Sequence, residues 1–429
     1  MSPSKQNLAA PRGMRDFYPD EMLRRSFVFD AWTRASRRFG FEQYDACVVE
    51  TLELLKRKGG EEIVQQIYAF ADKSGRELAL RPEMTPTLAR MIAARHGELA
   101  FPVKWFTIAQ CFRYERMTKG RRREHYQWNL DIVGEPALTA EVEVLAAAAD
   151  AMGMMGLTAS DVRIRVNHRA LLGELLARSG IPADQHPSVF LALDKRDKVD
   201  DLTPFLTQAG LDQSAIASVN RLLEVESLDD AAQLLGEDSA AVHALNELFE
   251  RLSRYDLSSM IQFDISVIRG LGYYTGIVFE AYDTARTGRA IFGGGRYDNL
   301  LTEIGGKPTT AVGLGFGDVV IADLLEEKNL FDGCSPSRDV TVGYMTDSER
   351  DAAVEVACAL RKAGQSVDLA THTEKPKQFF SRADKKGFRE AAYIGPDDVA
   401  AGSCRLKTMA DGEERVMPLI GKSEVSSQK

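Results

Sequence analysis

The stretch FRYERMTKGRRREHYQWNLDIVG, residues 112–134, decides how the rest of the chain is read. Runs 104–112 and 127–133 carry the alternation and the β-branched or aromatic content of strands, and the loop between them is dense in Arg and Lys. This predicts a long hairpin with a cationic tip. Arg113, Arg116, Arg121, Arg122 and Arg123 crowd this one element, and planar guanidinium forks are well suited to gripping phosphate. Gln127 and Asp131 are evenly spaced on the returning strand, so both side chains point to one face of the sheet. Cations and a carboxylate then share one surface, although a solvated charged loop would have the same composition.

Composition sets the frame around that hairpin. A chain of 429 residues predicts about two or three domains. Hydrophobic content of 44%, charged content of 27% and 15 prolines describe an ordinary globular protein. No apolar run approaches the ~20 residues of a membrane helix, and MSPSKQNLAAPRG lacks the apolar core of a signal peptide, so a cytoplasmic location is expected. Cys47, Cys111, Cys334, Cys358 and Cys404 are scattered without a CxxC pair, which predicts reduced, mostly buried thiols and neither a disulfide framework nor a zinc site. A net charge of -9 argues against coating nucleic acid through a global basic field and leaves only local patches such as 121–123.

Upstream of the hairpin, Leu23, Phe27, Ala31, Ala35 and Phe39 recur at helical spacing before Gly40, predicting an amphipathic helix that packs on the core. A β-rich segment, 43–49, follows it, and another spans 67–80. In LRPEMTPTLARMIAAR, Pro82 breaks the strand and Thr85-Pro86 opens a helix, leaving Glu83 at a strand-to-helix junction. A carboxylate there either accepts the ammonium of a small ligand or merely complements the helix N-terminus. Beyond the hairpin, Thr139 is the expected cap of a helix over 140–152, and Val162, Ile164 and Val166 alternate as a strand.

From about 171 to 255 the pattern is helical and interrupts two β-rich stretches, as an insertion would. His168, His186 and His243 lie in or beside it without metal-ligand spacing. In IRGLGYYTGIVFEAYD, an Arg precedes a glycine-punctuated Tyr273-Tyr274 pair, a composition that suits a pocket wall. Gly293, Gly294 and Gly295 read as a tight turn, and Gly313, Gly315 and Gly317 do not have the dinucleotide-binding spacing. After a linker over 331–338, a β-α-β-α-β order predicts a small α/β domain. Its second helix mixes Lys and Arg with exposed-looking Phe379 and Phe380, a face suited equally to single-stranded RNA or to solvent.

PRGMRDFYPDE, LRPEMT, FRYER with GRRREHYQWNLDIVG, RGLGYYTGIVFE, GGGRYD and KQFFSRADK occur in this order over nearly the whole chain. Jointly they are highly specific: the chain resembles the histidyl-tRNA synthetases, a class II aminoacyl-tRNA synthetase family. The resemblance implies an α+β fold, with an antiparallel sheet core flanked by helices, a helical insertion and a C-terminal α/β anticodon-binding domain. It places the catalytic core at 1–168 and 259–330, the insertion at 169–258 and the anticodon-binding domain at 338–429. It also implies a homodimer that activates L-histidine with ATP and Mg²⁺ and transfers it to histidine tRNA, without a resident metal.

Roles follow from motif position. Glu83 and Thr85, with Met84 between them, would hold the amino group of histidine. Gln127 would position the amino acid, and Asp131 with Tyr274 would hydrogen-bond its imidazole, beside Tyr273. Arg113 and Arg269 would act on the reacting α-phosphate, and Arg113 also on the histidine carboxylate. Arg116 and Arg121 would join Arg113 on ATP. Lys119, Arg122, Arg123, Lys377, Arg382 and Lys385 would meet tRNA. No protein nucleophile is required, which matches the lack of a Ser-His-Asp or Cys-His pattern.

The chain departs from the family pattern at several positions. Cys47 stands where a proline is usual, Asp131 replaces Glu, and Gly272 replaces an acidic residue. Met117 and Thr118 differ from the usual loop residues. The arginine of the third class motif, which grips the γ-phosphate, aligns with Val320, leaving Arg121, Arg116 or the metal to hold the tail of ATP. That last departure suits an alternative, a non-aminoacylating synthetase-like regulatory subunit of ATP phosphoribosyltransferase. Arg269, the phosphate-binding loop and KQFFSRADK weigh against it.

Overall fold

The computed structural model describes residues 8–419 apart from 59–64, 119, 194–198, 200, 237, 268–273, 286–288, 333, 335 and 337. Arg269, Gly272, Tyr273 and Lys119 therefore lie outside the described residues. The chain divides into two compact units, Met1–Cys334 and Ser335–Lys429.

The first unit is built on one large sheet. Its strands are β1 (Glu42–Gln43), β5 (Val103–Phe112), β6 (Glu124–Val133), β7 (Val162–His168), β8 (Ile261–Phe263), β9 (Ile277–Asp283), β10 (Phe292–Arg296) and β11 (Ala311–Gly317). Their spatial order is β1-β5-β6-β11-β10-β9-β7-β8, antiparallel throughout except for the parallel edge pairs β1/β5 and β7/β8. A small sheet of β2 (Val49–Thr51), β4 (Glu77–Leu80) and β3 (Ala69–Ala71) stands apart from it. The β-rich segments expected at 43–49 and 67–80 are thus shorter strands separated by irregular chain.

Strand alternation gives the central hairpin two chemically different faces. Trp128, Leu130 and Ile132 of β6 enter the main core with Phe106 of β5. Helix Pro19–Arg38 covers that face with Val28, Ala31, Trp32 and Ala35. Trp32 stacks on Trp128 at 5.9 Å between ring centroids, and Trp128 Nε1 donates to Ser36 Oγ at 3.0 Å. Burying side chains of this size contributes roughly 1.5–3 kcal/mol each. Ala31 and Ala35 of the expected apolar stripe are buried and Phe27 and Phe39 partly so, while Val28, Trp32 and Ser36, each one position on, widen the buried face. Gln127, Asn129 and Asp131 point to the opposite face.

Three local expectations are corrected. Helix Thr139–Met154 has Leu138 at its cap position and no side-chain cap, so Thr139 is its first helical residue. Gly293, Gly294 and Gly295 lie inside β10 between two partner strands and do not form a turn. The thiols are mixed: Cys111 and Cys404 are buried, while Cys47 and Cys358 are exposed. Between β7 and β8 the described helices run from Arg169–Arg178 to Ala240–Ser253, and their apolar faces join the same core as the sheet. His168 caps the first of these helices, its Nδ1 accepting from the Ala170 amide at 3.1 Å.

The second unit has the sheet order β13-β12-β14-β15-β16, formed by β12 (Val340–Tyr344), β13 (Val367–Leu369), β14 (Glu390–Ile394), β15 (Ser403–Thr408) and β16 (Glu414–Pro418). A capping box from Thr346 to Glu349 opens a short 3-10 turn before helix Arg350–Lys362. The closing β15/β16 hairpin extends the expected order. On helix Pro376–Lys385, Phe379 is fully buried against Gly343 and Tyr393, which corrects its reading as an exposed aromatic; only Phe380 is partly accessible.

Candidate active site on the glycine-floored face of the sheet

The polar face of β6 is flanked on one side by β11, whose residues opposite Asp131, Asn129 and Gln127 are all glycines. Gly313 pairs with Asp131, and Gly295 pairs with Gly313. A Cβ on Gly313 would lie 1.9 Å from Asp131 Oδ1, and one on Gly315 would lie 1.8 Å from Gln127 Nε2. On β10, a Cβ at Gly295 would lie 2.5 Å from the Ile277 carbonyl and 3.0 Å from Tyr274 Cδ1. The two glycine runs are therefore a floor over which Gln127, Asp131 and Tyr274 lie, and period-two glycine spacing was the sequence signal for it.

Asp131 is buried, and its Oδ1 accepts from the Tyr297 hydroxyl at 2.6 Å. Its Oδ2 has no partner, nor have Gln127 Oε1, Asn129 Oδ1 and the Tyr44 hydroxyl. Buried polar atoms are rarely left so, and a group gathering them marks a surface built to receive polar atoms from elsewhere. Burial pushes the Asp131 carboxyl up to about 7, and the Tyr297 hydrogen bond opposes that shift. Burial and the nearby Asp131 also raise the Tyr44 phenol well above its usual range. Tyr297 and Tyr44 were not singled out from sequence.

The 81–85 turn is clasped to the end of β5. The Phe112 amide donates to the Arg81 carbonyl, and Arg113 Nε donates to the Pro82 carbonyl, both at 2.9 Å. Buried Arg81 donates to the Gln110 and Ala46 carbonyls, each at 2.9 Å, which locks the turn. Glu83, Met84 and Thr85 are all buried, and Met84 packs on Ala109, the β5 partner of Gln127. Helix Thr85–Arg95 then packs Leu88 and Ala89 into the cluster that holds Tyr274 and Tyr297. Next to Arg113 stands His125, whose imidazole is pushed down to about 3 by burial and by the Arg113 and Arg15 guanidinium groups. It is a neutral hydrogen-bonding ring at working pH, and charge spacing alone gave no hint of it.

Toward the hairpin tip the arginines divide by engagement. Arg121 Nη1 pairs with Glu115 Oε2 at 2.8 Å, and Arg123 stacks over Tyr114 with 3.8 Å to the ring centroid. Arg116 and Arg122 are exposed. Where β6 leaves the loop, Arg15 bridges Glu124 at 3.1 Å and Asp318 at 2.9 Å, while Asp318 Oδ1 accepts the Tyr126 amide at 2.9 Å. Burial still pushes the Asp318 carboxyl up to about 6. No group of three or more His, Cys, Asp or Glu side chains able to hold a metal ion occurs among the described residues.

In the second unit, Arg382 is paired with Asp368 at 3.2 Å and Glu374 at 3.1 Å. Lys377 and Lys385 line an open basic groove with Arg338 and Lys386.

A family model described as histidyl-tRNA synthetase matches residues 13–317, which include every strand of the large sheet. The chain belongs to the histidyl-tRNA synthetase family. A second model, described as an anticodon binding domain, matches residues 339–424. Among curated relatives of this histidyl-tRNA synthetase family member, "Histidine--tRNA ligase, chloroplastic/mitochondrial" of Arabidopsis thaliana is 42% identical over 96% of this chain and 85% of the relative. "Histidine--tRNA ligase" of Opitutus terrae is 39% identical over 95% of each. The histidyl-tRNA synthetase structure from Nostoc sp. PCC 7120 shares the fold, with a TM-score of 0.79 at 24% identity over 96% of this chain and 97% of that one. No helix among the described residues is long and apolar enough to cross a membrane.

Proposed function

We propose that the chain is a histidine–tRNA ligase. It activates L-histidine with ATP to histidyl-adenylate and passes the histidyl group to the 3′ end of histidine tRNA. The observation that carries this reading is the glycine-floored face, where Asp131 Oδ2 and Gln127 Oε1 are buried and unpartnered beside a polar turn at Glu83 and Thr85. Asp131, with Tyr274, accepts the imidazole ring; Glu83 and Thr85 hold the ammonium; Gln127 positions the backbone of the amino acid. Leaving such groups unpaired is costly, so a side chain without ring nitrogens is rejected.

The histidine carboxylate attacks the α-phosphorus of ATP, pyrophosphate leaves, and a ribose hydroxyl of the terminal tRNA adenosine then attacks the acyl carbon and releases AMP. Arg113, fixed by its bond to the Pro82 carbonyl, faces the carboxylate and the α-phosphate. Arg269 is assigned to the same phosphate from its motif, and Arg116 and Arg121 to the rest of the triphosphate, with Mg²⁺ entering on ATP. Catalysis is then positioning and charge stabilisation by groups organised beforehand.

The expected division into a core (1–168 and 259–330), an insertion (169–258) and an anticodon-binding domain (338–429), the homodimer and the cytoplasmic location belong to the same proposal. The match of 339–424 to an anticodon binding domain supports tRNA charging over the regulatory-subunit alternative. Histidine-dependent exchange of labelled pyrophosphate into ATP tests the reading, with near-abolition expected in Arg269→Ala. A folded protein that neither exchanges pyrophosphate nor charges histidine tRNA would overturn it.

A further inference from the structure

Strand β6 gives the site a direction. Asp131 lies deepest, Asn129 and Gln127 follow, and the strand then runs out through Glu124 to the loop tip. An amino acid with its ring at Asp131 and its carboxylate beyond Gln127 directs the phosphates of a nucleotide toward that tip. There Gly120, with φ at +74°, turns the loop. A Cβ on Gly120 would lie 3.3 Å from Val320 Cγ2 and 3.6 Å from Arg289 Cδ. Three separate segments meet at this point: the hairpin tip, the first turn of helix Asp318–Glu327 and the chain entering β10.

Val320 has nothing to offer a phosphate. Arg289 is exposed, and its guanidinium continues two bonds beyond the Cδ that flanks the same glycine. We propose that Arg289 grips the β- and γ-phosphates of ATP, supplying from the β9–β10 connection the cation that position 320 lacks. This deepens the histidine-activation reading and rests on it. A fork-shaped donor reaching from the chain that enters β10 suits the paired oxygens of a terminal phosphate, and the absence of a side chain at Gly120 leaves the approach open.

The test is pyrophosphate exchange by the full-length protein. For Arg289→Ala, the KM values for ATP and for pyrophosphate rise about tenfold or more. The KM for histidine and the inhibition constant of AMP stay within about twofold, because AMP has no outer phosphates. Arg289→Lys recovers part of the loss, and adding Val320→Arg to Arg289→Ala recovers ATP affinity. Unchanged KM values for ATP and pyrophosphate, or an equal loss for AMP, would overturn the proposal. A defect confined to the KM for tRNA would instead make Arg289 an RNA contact and overturn it as well. Wild-type protein without histidine-dependent exchange removes the activation reading itself, whereas exchange that Arg289→Ala leaves intact removes only the role of Arg289.

Discussion

The Tyr297 hydroxyl donates to Asp131 Oδ1 at 2.6 Å and leaves Oδ2 without a partner. One oxygen is thus held in place while the other faces the site. The arrangement carries a stability cost, because a buried carboxylate is ionised where water does not reach it.

Asp131→Asn removes that cost. The carboxyl stands at about 7 in the folded protein against an ordinary 3.8, so the folded state binds more protons than the unfolded one between those values. Stability therefore falls as pH rises through that window, by roughly 4 kcal/mol in all at 1.36 kcal/mol per unit. Thermal melts are expected to show the Asp131→Asn variant more stable than wild type at pH 8, with the difference shrinking toward pH 4. Histidine-dependent exchange should fall at the same time through a raised KM for histidine.

Gly313→Ala and Gly315→Ala place a methyl group where Asp131 Oδ1 and Gln127 Nε2 now lie. Both side chains must swing away, so the KM for histidine is expected to rise at least about tenfold. Gly317→Ala is the control, since a Cβ there meets nothing within 4 Å.

Arg15→Ala strands two buried carboxylates, Glu124 and Asp318, where β6 leaves the hairpin loop. The expected loss at pH 8 is on the order of 3 kcal/mol, read by urea unfolding. Arg15 holds down an Asp318 carboxyl that burial has already raised to about 6. Without Arg15 that value rises further, so Asp318 becomes neutral as pH falls and the deficit of the variant shrinks by pH 5.

Lys377→Glu combined with Lys385→Glu reverses charge in the basic groove of the second unit. Charging of histidine tRNA should show a higher KM for tRNA and a shallower salt dependence, while histidine-dependent exchange stays at the wild-type rate. A parallel fall in exchange would remove these lysines from the tRNA surface.

The cationic hairpin, the polar face holding Gln127 and Asp131, the helix after Glu83 and the terminal α/β unit were all legible in the sequence. Each is set by local period, by proline and glycine positions or by motif order, and such signals survive without knowledge of the fold. Only tertiary structure decided the rest. The glycine runs are a floor because β10 and β11 lie beside β6, which no local pattern states. Tyr297 meets Asp131 across 166 residues of sequence, and Arg289 meets Val320 around Gly120, because strand pairing brings distant segments together. Phe379 turned inward for the same reason: Gly343 on the neighbouring strand left room for its ring. Residue types and their spacing determined the chemistry available to this chain, and sheet register determined which of those groups share one site.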